Sequence, residues 1–280
     1  MHVAVAGTGN MGSAWAERLL ENGHRLTVWN RTPGRTAPLE RRGARVAPSV
    51  DDLAREADAV FLSLADDRTT LDLATPDGRP RAAWSELIVV NTATVSPETS
   101  ARLREGYGER FIAAPILGAP AAVSAGTAAI ILGGPAAARE TLAPVWGAFG
   151  QVMDAGPDPA QASILKLLHN HLLLAGMAVV AETVRIGRGA GLTDDALAEL
   201  LRQAPSMPAA LRNRIESLFD PQHPGWFTSR LAAKDLGHAL ALAQDEPFPV
   251  TEAARTTYLQ TAESDQADAD ITAIVELGHR

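Results

Sequence analysis

The chain of 280 residues is long enough for one large domain or two medium-sized ones, and two fits better because domains cluster at roughly 100 to 200 residues. Hydrophobic residues make up 46% and charged residues 21%, which is typical of a folded protein with a sizeable core. The formal net charge of −8 comes without a run of basic residues, which excludes a nucleic-acid backbone as the expected partner.

The chain contains no cysteine, which excludes disulfides and thiolate chemistry and suits a reducing cytosol. Its first residues show no basic leader and run directly into HVAVA. No apolar run approaches the roughly 18 residues that indicate a membrane-spanning helix. We therefore expect a cytoplasmic protein that does not bind a membrane.

The first part of the chain alternates short β-rich runs with helical segments. Several runs are apolar throughout, as expected for strands buried on both faces of a parallel sheet. Gly23 is placed to end the helix of MGSAWAERLLENG, and Ser49 to cap the helix of SVDDLAREAD. This alternation predicts a doubly wound α/β sheet, the Rossmann arrangement, over residues 1–157. The predicted strands are HVAVA, RLTVWN, AVFLSL, LIVVN, FIAAP and AAIILGG.

The strand signals stop after Gly156. One long helix is predicted to start after Pro159 and to end at a glycine cluster near Gly187 to Gly191. Residues 158–280 are therefore predicted to form an all-α domain that this helix joins to the first domain. Further helices are predicted in TDDALAELLRQA, PAALRNRIESLF, SRLAAKDLGHALALAQDE and VTEAARTTYLQTAES.

A glycine pattern opens the first predicted helix. In VAVAGTGNMG, the residues Gly7, Gly9 and Gly12 form G-x-G-x-x-G directly after a strand. The first glycine permits a tight turn, the second lets the backbone approach a pyrophosphate, and the third lets helix and strand pack closely. The pattern is weak by itself, but here the next strand ends about 20 residues further on, where an adenine ribose would lie. A dinucleotide site is the favoured interpretation over a merely glycine-rich turn.

The residues that end the next strand distinguish NAD from NADP. NAD sites usually place Asp or Glu there, whereas this chain has Asn30, Arg31 and Thr32. A carboxylate would repel a 2′-phosphate, and a guanidinium with a hydroxyl would bind it. NADP(H) is therefore favoured, with a solvated surface charge at Arg31 as the alternative.

Lys166 is the only formally charged residue between Asp158 and Glu182, within the predicted long helix. Burial would lower the pKa of its ammonium group toward neutrality, where the group can both give and take a proton. A lysine at a helix edge can instead bury its stem and leave its charge in water. The residues alone leave both interpretations open.

Together these features resemble the β-hydroxyacid dehydrogenases, that is, 3-hydroxyisobutyrate dehydrogenase and its relatives, with a Rossmann domain of the 6-phosphogluconate dehydrogenase type. The imine reductases are a sister branch of this family. The resemblance covers essentially the whole chain and depends on the order and spacing of loose motifs. These are GTGNMG, VWNRT, NTATVSP, APILGAP, GTAAIILGG, KLLHN and KDLGHALALAQ. It implies a Rossmann domain joined by a long helix to an all-α domain, which is the organisation predicted above.

The resemblance implies that Lys166 is the catalytic acid/base and that Asn170 helps to hold the substrate or the lysine. Residues four apart lie on one helix face, so the spacing is physically sensible. Lys166 would give a proton to a carbonyl oxygen as hydride arrives from the nicotinamide, and would take it back in the reverse reaction. Cofactor-binding residues are expected at Gly7, Gly9, Asn10, Met11, Gly12, Asn30, Arg31, Thr32, Leu64, Ala65, Thr94 and Lys234.

A substrate pocket is expected from the same resemblance. Lys234 and Asp235 would close over the nicotinamide end of the site. Trp226 and Phe227 would form an apolar wall, although core packing explains these aromatic residues nearly as well. The expected pocket residues are Ala93, Leu117, Gly118, Ala119, His169, Trp226, Phe227 and Asp235.

The histidines of the long helix are weaker candidates. His169, three residues after Lys166, is placed to line the same pocket, and His171 should point elsewhere. A lone helical histidine is more often a hydrogen-bonded structural residue than a catalyst. No His/Asp/Glu cluster has metal-ligand spacing, so no metal is expected.

Two positions depart from the acid-specific members of the family. Those members usually carry a serine in the loop that reads NTATVSP here, and a Ser-Gly-Gly segment where this chain reads LGA; these groups contact the substrate carboxylate. The corresponding positions here are Ala93 and 117–119. A carboxylate would be desolvated there without compensating hydrogen bonds, so a larger or less charged substrate is expected.

Three functions follow from the sequence. The favoured one is an NADPH-dependent oxidoreductase that acts on an aldehyde, ketone or keto acid through Lys166. An imine reductase acting on a cyclic or preformed imine is the alternative: the stretch GHRLTVWNRTPGRTAPLERRGARVAPS is closer to imine reductases, yet these generally replace the catalytic lysine by aspartate or tyrosine. The third, from another class, is a non-catalytic NADP-binding module, against which Lys166, Asn170 and Lys234 argue.

The long helix also bears on oligomeric state. Between Ala160 and Arg188 it carries more apolar surface than one small helical domain can cover. We expect a homodimer in which the helical domains pack together. The active site is expected in the cleft between the two domains, completed by the partner chain.

Overall fold

A computed structural model describes residues 1–242 and 246–277. The chain divides into two compact units, an N-terminal unit Met1–Lys166 and a C-terminal unit Leu167–Arg280. The predicted domain boundary at 157/158 lies just before a long helix, whereas the change from one unit to the other lies within that helix.

The N-terminal unit is built on a parallel sheet of six strands. Their order is β3-β2-β1-β4-β5-β6, so the chain starts in the middle of the sheet and reverses direction next to β1. This is the doubly wound arrangement, and the predicted fold class is confirmed. The strands are β1 His2–Ala6, β2 Arg25–Trp29, β3 Arg45–Val46, β4 Ala59–Leu62, β5 Ile88–Asn91 and β6 Phe111–Ala113.

The apolar character of the central strands follows from burial on both faces. Side chains alternate across a strand, so Val3 and Val5 join one hydrophobic cluster while Ala4 and Ala6 join another on the opposite face. Helices cover both faces: α1 Asn10–Glu21, α2 Ala37–Arg41, α3 Val50–Leu53, α4 Asp67–Ala74, α5 Pro97–Tyr107, α6 Pro120–Ser124, α7 Ala136–Thr141 and α8 Ala143–Trp146, with 3₁₀ turns at Pro76–Gly78, Ala82–Trp84 and Gly108–Arg110.

The predicted helix-end signals are present. The Ser49 hydroxyl accepts the Asp52 backbone N–H at 3.1 Å and caps α3. Gly23 has a φ of +78°, the left-handed conformation that commonly follows a helix C-terminus.

A second, three-stranded sheet differs from the prediction. It contains β7 Ile116–Leu117, β8 Ala129–Leu132 and β9 Gln151–Asp154 in the order β7-β8-β9. The run AAIILGG therefore supplies β8 of this sheet and not a strand of the main sheet. The sequence did not indicate β3, β7 or β9, because two of them are only two residues long and β9 is exposed along its length.

The described part of the C-terminal unit is helical, as predicted. A long helix, α9 Pro159–Gly189, spans the change from one unit to the other. The segment PAALRNRIESLF forms a 3₁₀ turn followed by a short helix, and the end of the helix predicted in SRLAAKDLGHALALAQDE lies outside the described residues. The remaining elements are α10 Asp194–Gln203, α11 Ile215–Phe219, α12 Ser229–Leu242 and α13 Pro249–Ala262, with 3₁₀ turns at Ala209–Arg214 and Ile271–Glu276.

The expectation that no apolar segment is long enough to indicate a membrane-spanning helix is wrong for α9. By length and composition alone this helix is apolar enough to cross a membrane. A core helix of a water-soluble protein passes the same test, so the feature is weak evidence for a membrane span. One face of α9 packs into the core of the C-terminal unit through Leu174, Met177, Val180, Ala181 and Val184.

Candidate cofactor and substrate site

Most of the predicted cofactor residues of the N-terminal unit lie at one edge of the main sheet. Because β1, β2, β4 and β5 are parallel neighbours, the segments that follow their carboxyl ends meet at the same edge. This edge of an open α/β sheet is where nucleotides bind. The predicted residues in these segments are Gly7, Gly9, Asn10, Met11 and Gly12 after β1; Asn30, Arg31 and Thr32 after β2; Leu64 and Ala65 after β4; and Ala93 and Thr94 after β5.

The three motif glycines differ in what a side chain would meet at each position. Gly7 has a φ of +95°, and a Cβ there would lie 2.3 Å from the carbonyl oxygen of Ser63. A Cβ on Gly12 would lie 2.0 Å from the carbonyl oxygen of Gly7, so helix α1 approaches the turn too closely for a side chain. A Cβ on Gly9 would meet nothing within 4 Å, which leaves open space beside the start of α1.

A dinucleotide fits this turn. Gly9 is the residue before α1, where unpaired backbone N–H groups favour a phosphate. The Thr8 hydroxyl is buried and makes no hydrogen bond with the described residues, so a donor is left over within the turn. The Thr8 N–H is held by the side-chain oxygen of Asn30 at 3.0 Å, and the Asn30 amide donates to the carbonyl of Thr32 at 3.1 Å. Asn30 therefore connects the glycine turn to the end of β2.

Arg31 and Thr32 are exposed at the end of β2. Arg31 forms no ion pair with any residue that the structure describes, and no carboxylate follows the strand at these positions. The loop therefore offers a guanidinium and a hydroxyl in the place where an NAD site usually has an acid.

Lys166 is partly buried near the start of α9. Its Nζ atom donates to the carbonyl oxygen of Ile116 at 2.6 Å, so the side chain reaches back to β7. The next residue on β7 is the predicted pocket residue Leu117, which is partly buried, and it is followed by an exposed Gly118 with a φ of +154° and a partly buried Ala119. The structure thus brings Lys166 to the predicted pocket segment of its own unit.

The start of α9 is fixed against the N-terminal unit by a second polar contact. The hydroxyls of Ser163 and Ser100 are 2.8 Å apart, and both residues are buried. Gly133 lets α9 approach closely, because a Cβ there would lie 3.0 Å from the Cβ of Ala162 and 3.1 Å from the carbonyl oxygen of Asp158. The contacts that place the start of α9 therefore also place Lys166.

Three predicted residues of the C-terminal unit form one network. Asn170 donates its amide to Asp235 Oδ2 at 2.6 Å, and Lys234 Nζ lies 2.8 Å from Asp235 Oδ1. Asp235 and Asn170 are each 2% exposed, so the carboxylate is buried with both oxygens partnered. Asn170 follows Lys166 by one helical turn, and its amide is used to hold Asp235.

The aromatic and histidine candidates have different surroundings. Phe227 is partly buried and packs against the core of the C-terminal unit. Trp226 lies with its ring 4.5 Å from the guanidinium carbon of Arg214. His169 is partly buried, and His171 Nε2 lies 2.9 Å from the Thr251 hydroxyl.

The two tyrosines of the chain are poor proton donors to a substrate. Tyr107 donates its hydroxyl to the carbonyl of Ala74, and burial raises its pKa to about 12. Tyr258 is fully buried, donates to the carbonyl of Leu174 at 2.9 Å, and has a pKa raised far above its ordinary value by burial. Among the described residues, no group of three His, Asp or Glu side chains is arranged to hold a metal ion.

Sequence reasoning missed the partners of these residues. The Ile116 carbonyl is a backbone group, which no motif reports. Ser100, Ser163, Arg214 and Asp270 are ordinary residues whose contacts depend on the folded chain.

Two family models match the chain. Residues 2–156 match the NAD binding domain of 6-phosphogluconate dehydrogenase, and residues 160–278 match the NAD-binding domain of NADP-dependent 3-hydroxyisobutyrate dehydrogenase. A 3-hydroxyisobutyrate dehydrogenase of Pseudomonas aeruginosa is 30% identical, over 94% of this chain and 93% of that protein. The uncharacterized oxidoreductase YfjR of Bacillus subtilis is 29% identical, over 99% of each.

Solved structures agree with this assignment. Psf3 in complex with NADP⁺ and 2-OPP is similar with a TM-score of 0.88 and 26% identity, over 98% of this chain and 99% of that one. A Streptomyces aurantiacus imine reductase has a TM-score of 0.64 and 21% identity over 99% of each chain, a likeness that shows the fold alone. The chain belongs to the 3-hydroxyisobutyrate dehydrogenase family of β-hydroxyacid dehydrogenases and is an NAD(P)-dependent oxidoreductase.

Proposed function

We propose that this protein is an NADPH-dependent reductase of a carbonyl substrate, an aldehyde, ketone or keto acid, with Lys166 as its proton donor. The observation that carries the proposal is the contact between Lys166 Nζ and the Ile116 carbonyl, which holds an ammonium group beside the predicted pocket segment at Leu117. We also propose that the protein is cytoplasmic.

The preference for NADP(H) is supported by the end of β2. Arg31 and Thr32 are exposed there and a carboxylate is absent from these positions, which suits a 2′-phosphate. Psf3, which is similar over the whole chain, binds NADP⁺.

The proton step is assigned to this chain's own groups. NADPH, when bound, supplies the hydride that adds to the substrate carbon. Lys166 donates a proton to the carbonyl oxygen, so that an Nζ–H bond breaks and an O–H bond forms. The Ile116 carbonyl orients Nζ before the transfer. Because Lys166 is only partly buried, solvent can return the proton afterwards.

Among these carbonyl substrates, a larger or less charged one is favoured, because the side chains at the predicted carboxylate anchors are apolar. Ala93 is 8% exposed, and its backbone groups are occupied by the Asn91 side chain. Leu117 is packed against the core of the N-terminal unit. Neither side chain can donate a hydrogen bond to a carboxylate.

Imine reduction is the second candidate, and the same two apolar side chains favour it. An iminium carbon is already electrophilic, so it needs less acid catalysis than a ketone. Lys166 would then have little part in the rate.

One assay separates these functions. NADPH oxidation is measured with small aldehydes and keto acids in one panel and cyclic imines in the other, for the native protein and Lys166→Ala. Carbonyl turnover that collapses in the variant supports the leading proposal. Imine turnover that survives the substitution supports the second, and turnover of any substrate rules out a module that only binds NADP.

A further inference from the structure

The C-terminal unit contains a buried ion pair outside the network of Asn170 and Asp235. Arg214 Nε lies 2.9 Å from Asp270 Oδ1, and the two side chains are 5% and 1% exposed. A buried ion pair is expensive to desolvate and is weak evidence for stability, so its other contacts indicate what it does.

The second oxygen of Asp270 holds the backbone of the two predicted pocket aromatics. Oδ2 accepts the backbone N–H groups of Trp226 and Phe227, each at 3.1 Å. A Cβ on Gly225 would lie 2.3 Å from the Asp270 carboxylate, so the chain is pressed onto this group and a glycine is required. One carboxylate therefore fixes three consecutive residues.

Arg214 contacts the Trp226 side chain, whereas Asp270 holds only the backbone of that residue. Its guanidinium carbon lies 4.5 Å from the centre of the Trp226 ring, within the range of a cation–π contact. Asp270 orients the guanidinium, so a change at Asp270 is transmitted to the indole ring as well as to the backbone.

The rest of the segment before α12 is held from the same region of the chain. The N–H of Asp270 donates to the carbonyl of His223 at 3.1 Å, and the N–H of Ile271 donates to the carbonyl of Phe227 at 2.8 Å. His223 Nδ1 lies 2.8 Å from the carbonyl of Ser217. Backbone hydrogen bonds on both sides of the two aromatic residues thus hold this segment in place, as a wall that selects by shape requires.

We infer that Arg214 and Asp270 are positioning residues that hold Trp226 and Phe227 as one wall of the substrate pocket and thereby set which substrate sizes are accepted. This inference rests on the proposed function. Neither residue takes part in the proton step, so their loss should alter substrate selection more than the reaction of the smallest substrate.

The kinetic test compares three variants with the native protein. Asp270→Asn keeps an oxygen acceptor for the two N–H groups but removes the charge that orients Arg214. Arg214→Met removes the guanidinium and leaves Asp270 unpaired, and the double variant removes both charges at once. KM and kcat are measured for a series of aldehydes of increasing size, with thermal unfolding measured in parallel.

The double variant is expected to fold, because both buried charges are gone, and to change the ratio of KM between the largest and smallest aldehyde by about tenfold or more. The same two substitutions made in a Trp226→Leu background should change the KM ratio little further, since Arg214 and Asp270 act through the Trp226 ring. A uniform loss across all substrates that follows the loss of folded protein would overturn the inference and leave a structural role only.

A second readout does not depend on turnover. The chain has five tryptophans, so protein labelled with 5-fluorotryptophan gives few ¹⁹F resonances. The resonance that is lost in Trp226→Phe is that of Trp226. The Trp226 resonance is expected to shift or broaden in Arg214→Met and in the double variant. An unchanged resonance would overturn the positioning role even if the enzyme is active. If the native protein turns over neither panel, the proposed function fails while this measurement still decides whether the pair positions Trp226.

Discussion

Lys166 Nζ lies 2.6 Å from the carbonyl oxygen of Ile116, on a strand of the three-stranded sheet. The lysine thus extends from α9 to β7 and is held by a backbone group that substitution of Ile116 cannot remove. A charged donor to a carbonyl makes a stronger hydrogen bond than a neutral one, so the contact orients the side chain.

Substitutions of Lys166 can distinguish its orientation by the Ile116 carbonyl from its role as a proton donor. Lys166→Arg keeps a positive charge that can reach a carbonyl, but a guanidinium does not release its proton in proteins. We expect Lys166→Arg and Lys166→Ala to lower kcat for a carbonyl substrate by similar factors, about 10²- to 10⁴-fold. Thermal unfolding temperatures measured beside the kinetics check that both variants fold. Near-native turnover by Lys166→Arg would show that the charge matters and the proton does not.

Lys166 and Lys234 are the only lysines in the chain, and every other Lys/Arg position is an arginine. Arginine does not release its proton in proteins, so among the Lys/Arg positions only these two could take part in proton transfer. Amine-specific reductive methylation followed by mass spectrometry therefore reports on two ε-amino groups. We expect NADP⁺ with an unreactive substrate analogue to slow the labelling of both several-fold. The α-amino group is the internal control, and equal labelling with and without ligand would remove both lysines from the site.

The glycine turn permits a matched pair of substitutions. Gly9 has an ordinary φ of −72° and open space around its Cβ position, so Gly9→Ala should leave thermal stability unchanged and weaken NADPH binding. Gly12→Ala places a methyl group 2.0 Å from the Gly7 carbonyl and should lower the free energy of unfolding by about 1–3 kcal/mol as well. NADPH fluorescence titration and thermal unfolding measure the two effects. Unaltered NADPH affinity in Gly9→Ala would place the pyrophosphate elsewhere.

Arg31 gives a test of cofactor choice. Removal of a charge-assisted hydrogen bond to a 2′-phosphate should raise KM for NADPH by about 10- to 100-fold in Arg31→Ser and leave KM for NADH unchanged. Arg102, an exposed arginine of α5, provides Arg102→Ser as the matched control. If both variants behave alike, Arg31 is a solvated surface charge.

Much of the fold could be predicted from the sequence because its signals are local. The all-apolar β1 and β4 need two covered faces, and the ends of α1 and α3 carry their own cap residues. The glycine turn was predictable because the spacing of its glycines directly after β1 is a local pattern. The steric contacts were not all local, since Gly12 meets the Gly7 carbonyl but Gly7 meets the carbonyl of Ser63.

The parts that the sequence did not indicate depend on contacts between distant segments. β7 has two residues, too few for a periodic pattern, yet its carbonyl holds Lys166, fifty positions away. Asp270 is the last residue of the mostly polar run ESDQADAD, which suggests an exposed turn, but it is 2% exposed and pairs with Arg214. Composition cannot distinguish a solvated acid from a buried one whose partner arrives only on folding.

Helix α9 presents an apolar stripe that predicts self-association. Leu172, Val179 and Ile186 follow one another at intervals of seven residues and are 73%, 57% and 72% exposed, and Leu168, four residues before Leu172, is 49% exposed. Residues at these spacings lie on one helix face, and we predict that a second copy of the chain covers it.

Leu172→Glu is expected to convert a homodimer into a monomer, because a twofold interface loses two buried leucines and gains two buried carboxylates. Each leucine contributes about 1.5–3 kcal/mol when buried, so the dissociation constant should rise by about two orders of magnitude or more. Val250→Glu is the matched control, since Val250 is 65% exposed but lies on α13. Light scattering at micromolar concentration measures both variants and the native chain. A native monomer would contradict the prediction, and a dimer that Leu172→Glu leaves intact would place the interface on another surface.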